Sequence, residues 1–177
     1  MKQTLAELFG NYAHTIVFIH VLSAFVWVGG MIAIRLAVHP NLMLIEDTRV
    51  RLNRTLAITG QFFNIVMPFI VLLILTAVIM AVGLNFRDSA VDVNGAVIND
   101  ASMYIYNLVH LKEVIWMIMA MNFTWMYMKR RKAQKCFDNN RLADTKINLA
   151  LIPKVLLPIN IVLGIIAIWL GVTLRGF

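Results

Sequence analysis

Five ionisable side chains interrupt long apolar stretches of the sequence, and they are the groups best placed to do chemistry. They are His20, Arg35, His110, Lys112 and Glu113. An ionisable residue inside a membrane helix costs roughly 2.5 to 3.5 kcal/mol on insertion scales, so it usually faces other helices and marks a functional site. Neutral imidazole is also a common metal ligand. The two histidines are therefore the first candidates for a metal or cofactor site.

His20 lies on one face of the first apolar stretch. At about 100° per residue, a helix places His20, Trp27, Met31 and Arg35 along that face. A histidine about six residues inside the outer end of a membrane helix has no easy route to water and needs a partner on another helix. We therefore expect this face to point toward the other helices.

His110 lies at a matching depth in the third apolar stretch, roughly 9 Å inside its outer end at 1.5 Å per residue. We expect His20 and His110 to ligate a haem iron from its two sides, in the core of a helix bundle. Met117 and Met121, on the His110 face, are alternative second ligands because a thioether also binds haem iron. Glu113 could hold the other ring nitrogen of a histidine.

Two cations, Arg35 and Lys112, would complete such a site. Each could bind a propionate of a porphyrin or a carboxylate of a substrate. Each could also extend its charged end to the head groups at the membrane surface. The residue types leave both interpretations open.

Four apolar stretches must position these residues. A helix of about 20 residues crosses a hydrocarbon core of about 30 Å, and the stretches run over about 15–38, 58–84, 104–128 and 149–174. The chain of 177 residues is 60% hydrophobic and only 14% charged, which is typical of an integral membrane protein. We predict an all-α fold, a single transmembrane domain over 1–177 that forms a four-helix bundle.

The basic residues predict the orientation of this bundle. The loop after the first stretch carries three arginines and the loop after the third carries seven lysines and arginines, whereas the other side carries Lys2, Arg87 and Arg175. The positive-inside rule therefore predicts both termini outside, which in a bacterium means a multi-pass protein of the cytoplasmic (inner) membrane. The net charge of +7 indicates contact with anionic lipid. It does not indicate nucleic acid, because no recognition motif accompanies it.

Two local patterns predict irregular backbone. Pro153 and Pro158 lie near the start of the fourth stretch, where proline frees backbone carbonyl groups, so we expect a break or kink there. Asn94-Gly95 lies between short apolar runs in the loop that precedes the third stretch, which favours a short hairpin.

The run from His20 through Trp27 to Gly29-Gly30, followed by Arg35 and His39, resembles the first helix of two related families of small membrane proteins. These are the HemJ-type protoporphyrinogen oxidase family and the CopD-type copper-resistance family. His110-Leu111-Lys112 is similar to a His-x-Lys element in the third helix of the first family. That resemblance implies four helices, haem b and an oxidoreductase that converts protoporphyrinogen IX to protoporphyrin IX in haem synthesis.

The same resemblance implies roles for these residues. His20 and His110 would ligate or flank the iron, and Trp27 would pack on a macrocycle. Arg35 and Lys112 would be catalytic residues that bind the propionates or the porphyrin substrate. Electrons would leave through a quinone or a respiratory-chain partner.

Two other functions stay open. In copper uptake or tolerance, imidazole and thioether ligands would pass a soft ion across the bundle, and the candidate ligands are His14, His20 and His110 with Met103 or Met117. In an accessory or assembly subunit without chemistry, the polar residues would only make hydrogen bonds between helices. The sequence leaves open whether the chain forms a homo-oligomer.

Overall fold

The structure is a computed structural model that describes residues 2–174, and most of that range is helical. In chain order the elements are α1 Lys2–Ala33, a π-helical segment Ile34–Val38, α2 His39–Met43, α3 Thr48–Gly83, α4 Phe86–Ala90, α5 Asp100–Asp138, α6 Leu142–Leu151, a second π-helical segment Ile152–Leu156 and α7 Leu157–Thr173. The described residues contain no β-strand, only one isolated bridge. The all-α prediction is confirmed.

The π-helical segments join their neighbours without a break, so the chain forms four long helices. We refer to them as rod 1 (Lys2–Met43), rod 2 (Thr48–Gly83), rod 3 (Asp100–Asp138) and rod 4 (Leu142–Thr173). Side chains from all four rods meet in one hydrophobic core.

Within residues 2–174, three helices are long and apolar enough to cross a membrane. They are Lys2–Met43, Thr48–Ala90 and Leu142–Thr173. Rod 3 is not among them, because His110, Lys112, Glu113 and Asn122 interrupt its apolar sequence. The expected multi-pass membrane protein is thus supported by three helices rather than four.

The helices extend beyond the predicted stretches at the basic end of the molecule. Rod 3 continues to Asp138 and rod 4 begins at Leu142, so most of the predicted loop is a helical hairpin. Ala133, Cys136 and Thr145 are buried in this hairpin. Lysine, arginine, glutamine and alanine favour helix, and here the two helices also cover each other's small side chains.

Both irregular features that the sequence predicts are present. Pro153 lies inside the second π-helical segment and Pro158 is the second residue of α7, so the expected break takes the form of a widened helical turn. In the loop before rod 3, Gly95 has a φ of 85° and Val91 pairs with Val97 in a single antiparallel bridge. The short hairpin is confirmed.

An aromatic cluster occupies the middle of the core. The ring centroids of Phe63 and Phe123 lie 4.8 Å apart, and those of Trp27 and Phe123 lie 5.7 Å apart with an edge-to-face geometry.

Close approach of rods 1 and 4 depends on a glycine. A Cβ atom at Gly164 of rod 4 would lie 2.6 Å from a methyl carbon of Val28 on rod 1.

Two asparagines join rod 3 to rod 4 inside the core. Asn122 Nδ2 donates to the Leu156 carbonyl at 2.8 Å and to Asn160 Oδ1 at 2.7 Å. Asn160 is fully buried, and its Nδ2 donates to the Met119 carbonyl at 3.2 Å. These hydrogen bonds fix rod 3 against the helix that follows the second π-helical segment.

Candidate functional site

The candidate site is a polar layer that crosses the core and contains one residue from each rod. It consists of His20 from rod 1, Thr76 from rod 2, Lys112 from rod 3 and Gly171 from rod 4. We call it the His20 layer. One turn further along rod 1 lies buried Ser23, whose hydroxyl donates to the Ile19 carbonyl.

His20 has its hydrogen-bond partner on rod 2. Its Nδ1 atom lies 3.0 Å from the hydroxyl oxygen of Thr76, a residue that is 5% exposed. The same hydroxyl lies 2.7 Å from the Leu72 carbonyl and 3.1 Å from the Leu73 carbonyl. The predicted need of His20 for a partner on another helix is confirmed.

This geometry favours one tautomer of His20. A threonine hydroxyl has one proton, and here it is donated to a backbone carbonyl one turn earlier, so the oxygen accepts from the imidazole. In that tautomer Nδ1 carries the proton and Nε2 is unprotonated; the imidazole also lies close to the Leu73 carbonyl. Ligating histidines are commonly fixed in this way, through a hydrogen bond on the ring nitrogen that does not bind the metal.

Lys112 brings a positive charge within electrostatic range of the imidazole. Its ammonium acts electrostatically on His20 and lies against Gly171, where an added Cβ would be 3.1 Å from Nζ. Lys112 is partly buried, and no acceptor among residues 2–174 lies within hydrogen-bond distance of Nζ. An ammonium in an apolar environment requires a counter-charge or water. The layer is therefore suited to an anionic group.

Two indole N–H groups in the core lack acceptors. Nε1 of Trp27 and Nε1 of Trp116 are buried without a hydrogen-bond partner among the described residues. Trp116 lies one helical turn after Lys112 on rod 3. Buried donors are normally paired, so each unpaired one calls for an explanation such as a bound group or water.

His110 lies outside the His20 layer. Its side chain is 51% exposed, and its Nδ1 lies 2.9 Å from a carboxylate oxygen of Glu113, which is 57% exposed. The expected carboxylate partner for a histidine is thus present. Among the described residues no hydrogen bond or ring contact joins His110 to His20. Positions two apart on a helix point about 200° away from each other, so His110 and Lys112 cannot both face the core.

The other predicted site residues are dispersed. Trp27 packs in the aromatic cluster at 1% exposure, and Met117 and Met121 are 56% and 61% exposed on the His110 side of rod 3. Arg35 lies in the first π-helical segment, fifteen residues after His20, which is about 22 Å along a helix axis. His39 lies next to an apolar cleft in that region. The structure thus brings together His20 and Lys112, but not His110, Arg35 or the two methionines.

The candidate copper ligands are dispersed as well. His14 is exposed on rod 1, and Met103 is partly buried near the start of rod 3. Among residues 2–174, no three His, Cys, Asp or Glu side chains come together in an arrangement that could hold a metal ion. A cofactor that brings most of its own ligands needs only one or two from the protein, as haem does.

Sequence reasoning missed Thr76, which orients His20, and the close contact of Gly171 with Lys112. A threonine within an apolar run is the visible feature that could have indicated the first. No protein-family model, curated protein or solved structure matches the chain.

Proposed function

We propose that the chain is a multi-pass membrane redox protein that binds haem b at the His20 layer. The observation that carries this proposal is the pairing of His20 Nδ1 with Thr76 beside the unpartnered ammonium of Lys112. It leaves one unprotonated imidazole nitrogen and one free positive charge in an apolar environment. These two groups would hold haem, one as an axial ligand for the iron and the other as a cation for a propionate.

The chain's own residues would divide the task as follows. His20 would ligate the iron through Nε2, and Thr76 would hold the imidazole in that tautomer and orientation. Lys112 would pair with a propionate. When bound, haem supplies one-electron chemistry, whose potential depends on axial ligation and on burial. The low polarity around the layer is suited to a buried redox group.

Membrane topology forms the second part of the proposal. Rod 3 crosses the membrane with the three apolar rods, because its Ile115, Met119 and Phe123 lie in the shared core beside them. Four crossings form a four-helix bundle and bring the arginine-rich and lysine-rich turns to one side. By the positive-inside rule both termini then lie outside, and in a bacterium the protein occupies the inner membrane.

The reaction follows from the resemblance alone. His20, Trp27 and Lys112 belong to the motifs that are similar to the HemJ-type family. The reaction proposed on that basis is oxidation of protoporphyrinogen IX to protoporphyrin IX, with a quinone or a respiratory protein as electron acceptor. Porphyrin substrate and haem both carry carboxylates that an unpaired lysine would bind.

Haemin titration of the detergent-purified protein tests this proposal. We expect a saturable Soret band in the wild type, its loss in His20→Ala and weaker binding in Lys112→Met. His14→Ala is the matched control, since His14 is an exposed histidine on the same rod. Equal haemin binding by His20→Ala and the wild type would contradict the assignment. A protein that takes up copper but no haemin would replace it with the copper function.

A further inference from the structure

The exposed face of rod 3 carries a hydrogen-bonded histidine and glutamate at the depth of the His20 layer. His110 and Glu113 are 51% and 57% exposed, although Lys112, between them in sequence, lies in that layer. Their exposed neighbours Leu111 and Val114 are apolar. Facing lipid, such a pair would carry the desolvation cost of both polar groups. A protein surface that covers the pair would remove this cost.

The exposed positions of this face follow a heptad pattern. Spacings of three and four residues alternate without interruption over seven exposed positions: Asn107, His110, Val114, Met117, Met121, Thr124 and Met128. Left-handed packing of two membrane helices uses this spacing. Lys112 lies on the opposite side of the helix, so the pattern leaves the His20 layer undisturbed.

The composition of this face differs from that of the other rods at the same depth. There the outward side chains of rods 1, 2 and 4 are aliphatic or aromatic, and the most exposed are Phe18, Val21, Phe25, Val71, Leu75, Val78, Val162, Ile165, Ile168, Trp169 and Val172. Nearer the basic end rod 2 also exposes Gln61 and Asn64, which are uncharged. Only rod 3 exposes a histidine and a carboxylate together at the depth of the layer, in the described part of the chain. Lipid-facing surfaces favour aliphatic and aromatic side chains, whereas interfaces between helices favour polar ones such as those of rod 3.

We infer that this face of rod 3, from Asn107 to Met128, is the contact surface for a second copy of the chain. An acid and a base on one patch are complementary to the same patch on a second copy, because each copy offers both members of the pair. Two copies inserted in the same direction are related by a two-fold axis along the membrane normal, which brings equivalent faces together. His110 of each copy then lies at the contact, with Glu113 beside it.

Single-cysteine crosslinking in membranes tests the contact. Cys136 is the chain's single cysteine, so Cys136→Ser gives a cysteine-free background. Met117→Cys and Met121→Cys place a thiol on the proposed face. Val71→Cys on rod 2 and Ile165→Cys on rod 4 are matched controls, since these positions are each 53% exposed against 56% for Met117. We expect oxidation to give dimers from the two rod 3 positions and none from the controls.

A charge reversal gives an independent test. In the Met117→Cys background, Glu113→Lys places two cations beside the two imidazoles, and we expect it to abolish the crosslinked dimer, whereas Glu113→Gln retains part of it. Equal crosslinking at rod 3 and control positions would overturn the inference. The inference would also be overturned if the purified protein formed no rod 3 dimer in lipid vesicles, while the same cysteine variants crosslinked to a different protein in native membranes. The inference does not depend on haem, since a colourless protein can still dimerise through this face.

Discussion

Replacing Thr76 with valine tests the role of the His20 tautomer. Valine keeps the size and β-branched shape of threonine but lacks the hydroxyl that lies 3.0 Å from His20 Nδ1. The backbone carbonyl of Leu72 keeps its helical N–H partner, so the helix loses little. The imidazole N–H loses the hydroxyl acceptor and keeps only the nearby backbone carbonyl of Leu73, so the ring is held less firmly in one tautomer and orientation.

The expected loss of haemin affinity follows from the role of Thr76, whose hydroxyl orients the imidazole that would bind the iron. Removing the group that orients a metal-ligating histidine typically costs about 10- to 100-fold in affinity, or about 1.4 to 2.7 kcal/mol. We expect haemin to bind Thr76→Val more weakly by about that factor, and the amplitude at saturation to stay unchanged. Thr76→Ser keeps a hydroxyl at the same place and should bind nearly as well as the wild type.

Haemin titration followed at the Soret band measures this difference, and circular dichroism and gel filtration check that each variant is folded. Thr76→Val with wild-type affinity would refute the assignment of the tautomer. A serine variant as weak as the valine variant would refute it too, because the methyl group rather than the hydroxyl would then matter.

Three further predictions concern the fold. Asn160→Leu removes two hydrogen bonds between rods 3 and 4, each worth about 0.6 kcal/mol on average in membrane proteins, and should lower the free energy of unfolding by about 1 to 3 kcal/mol in an SDS titration. Gly164→Val overpacks the contact with rod 1 and should cost about 1 to 3 kcal/mol in the same assay, whereas Gly10→Val, with no atom within 4 Å of its Cβ position, should cost little. The pKa of Asp92 lies below its ordinary value, chiefly because the Asp92 carboxylate accepts a hydrogen bond from the backbone N–H of Ala96. The ionised carboxylate therefore stabilises the hairpin at a pH above the ordinary pKa, and this stabilisation is lost as the pH falls through the lowered pKa. Amide exchange at Ala96 should therefore rise relative to other loop amides below about pH 4, and no such rise should occur in Asp92→Asn.

The helical fold could be predicted from the length of the apolar stretches, but the ends of the helices could not. Ala133, Cys136 and Thr145 follow the third stretch in a strongly basic segment, which hydropathy alone assigns to a loop. They are helical because rods 3 and 4 continue side by side and bury these small side chains against each other. That pairing is a tertiary contact, which no local pattern in the sequence contains.

The candidate site, like the fold, could be predicted only in part. The position of His20 among apolar residues correctly indicated a partner on another helix. The identity of that partner depends on how rods 1 and 2 are aligned, and one sequence does not give that alignment. The outward direction of His110 follows from simple helix geometry once Lys112 is known to face the core, since the two residues point about 200° apart. Which of the two faces inward depends on packing.

A visible absorption spectrum of the purified protein, as isolated and after reduction with dithionite, tests the central proposal most directly. We predict a Soret band that shifts on reduction in the wild type, and its absence from a folded His20→Ala variant. A wild-type protein that is colourless and takes up no added haemin would contradict the proposal. So would a His20→Ala variant with the wild-type spectrum.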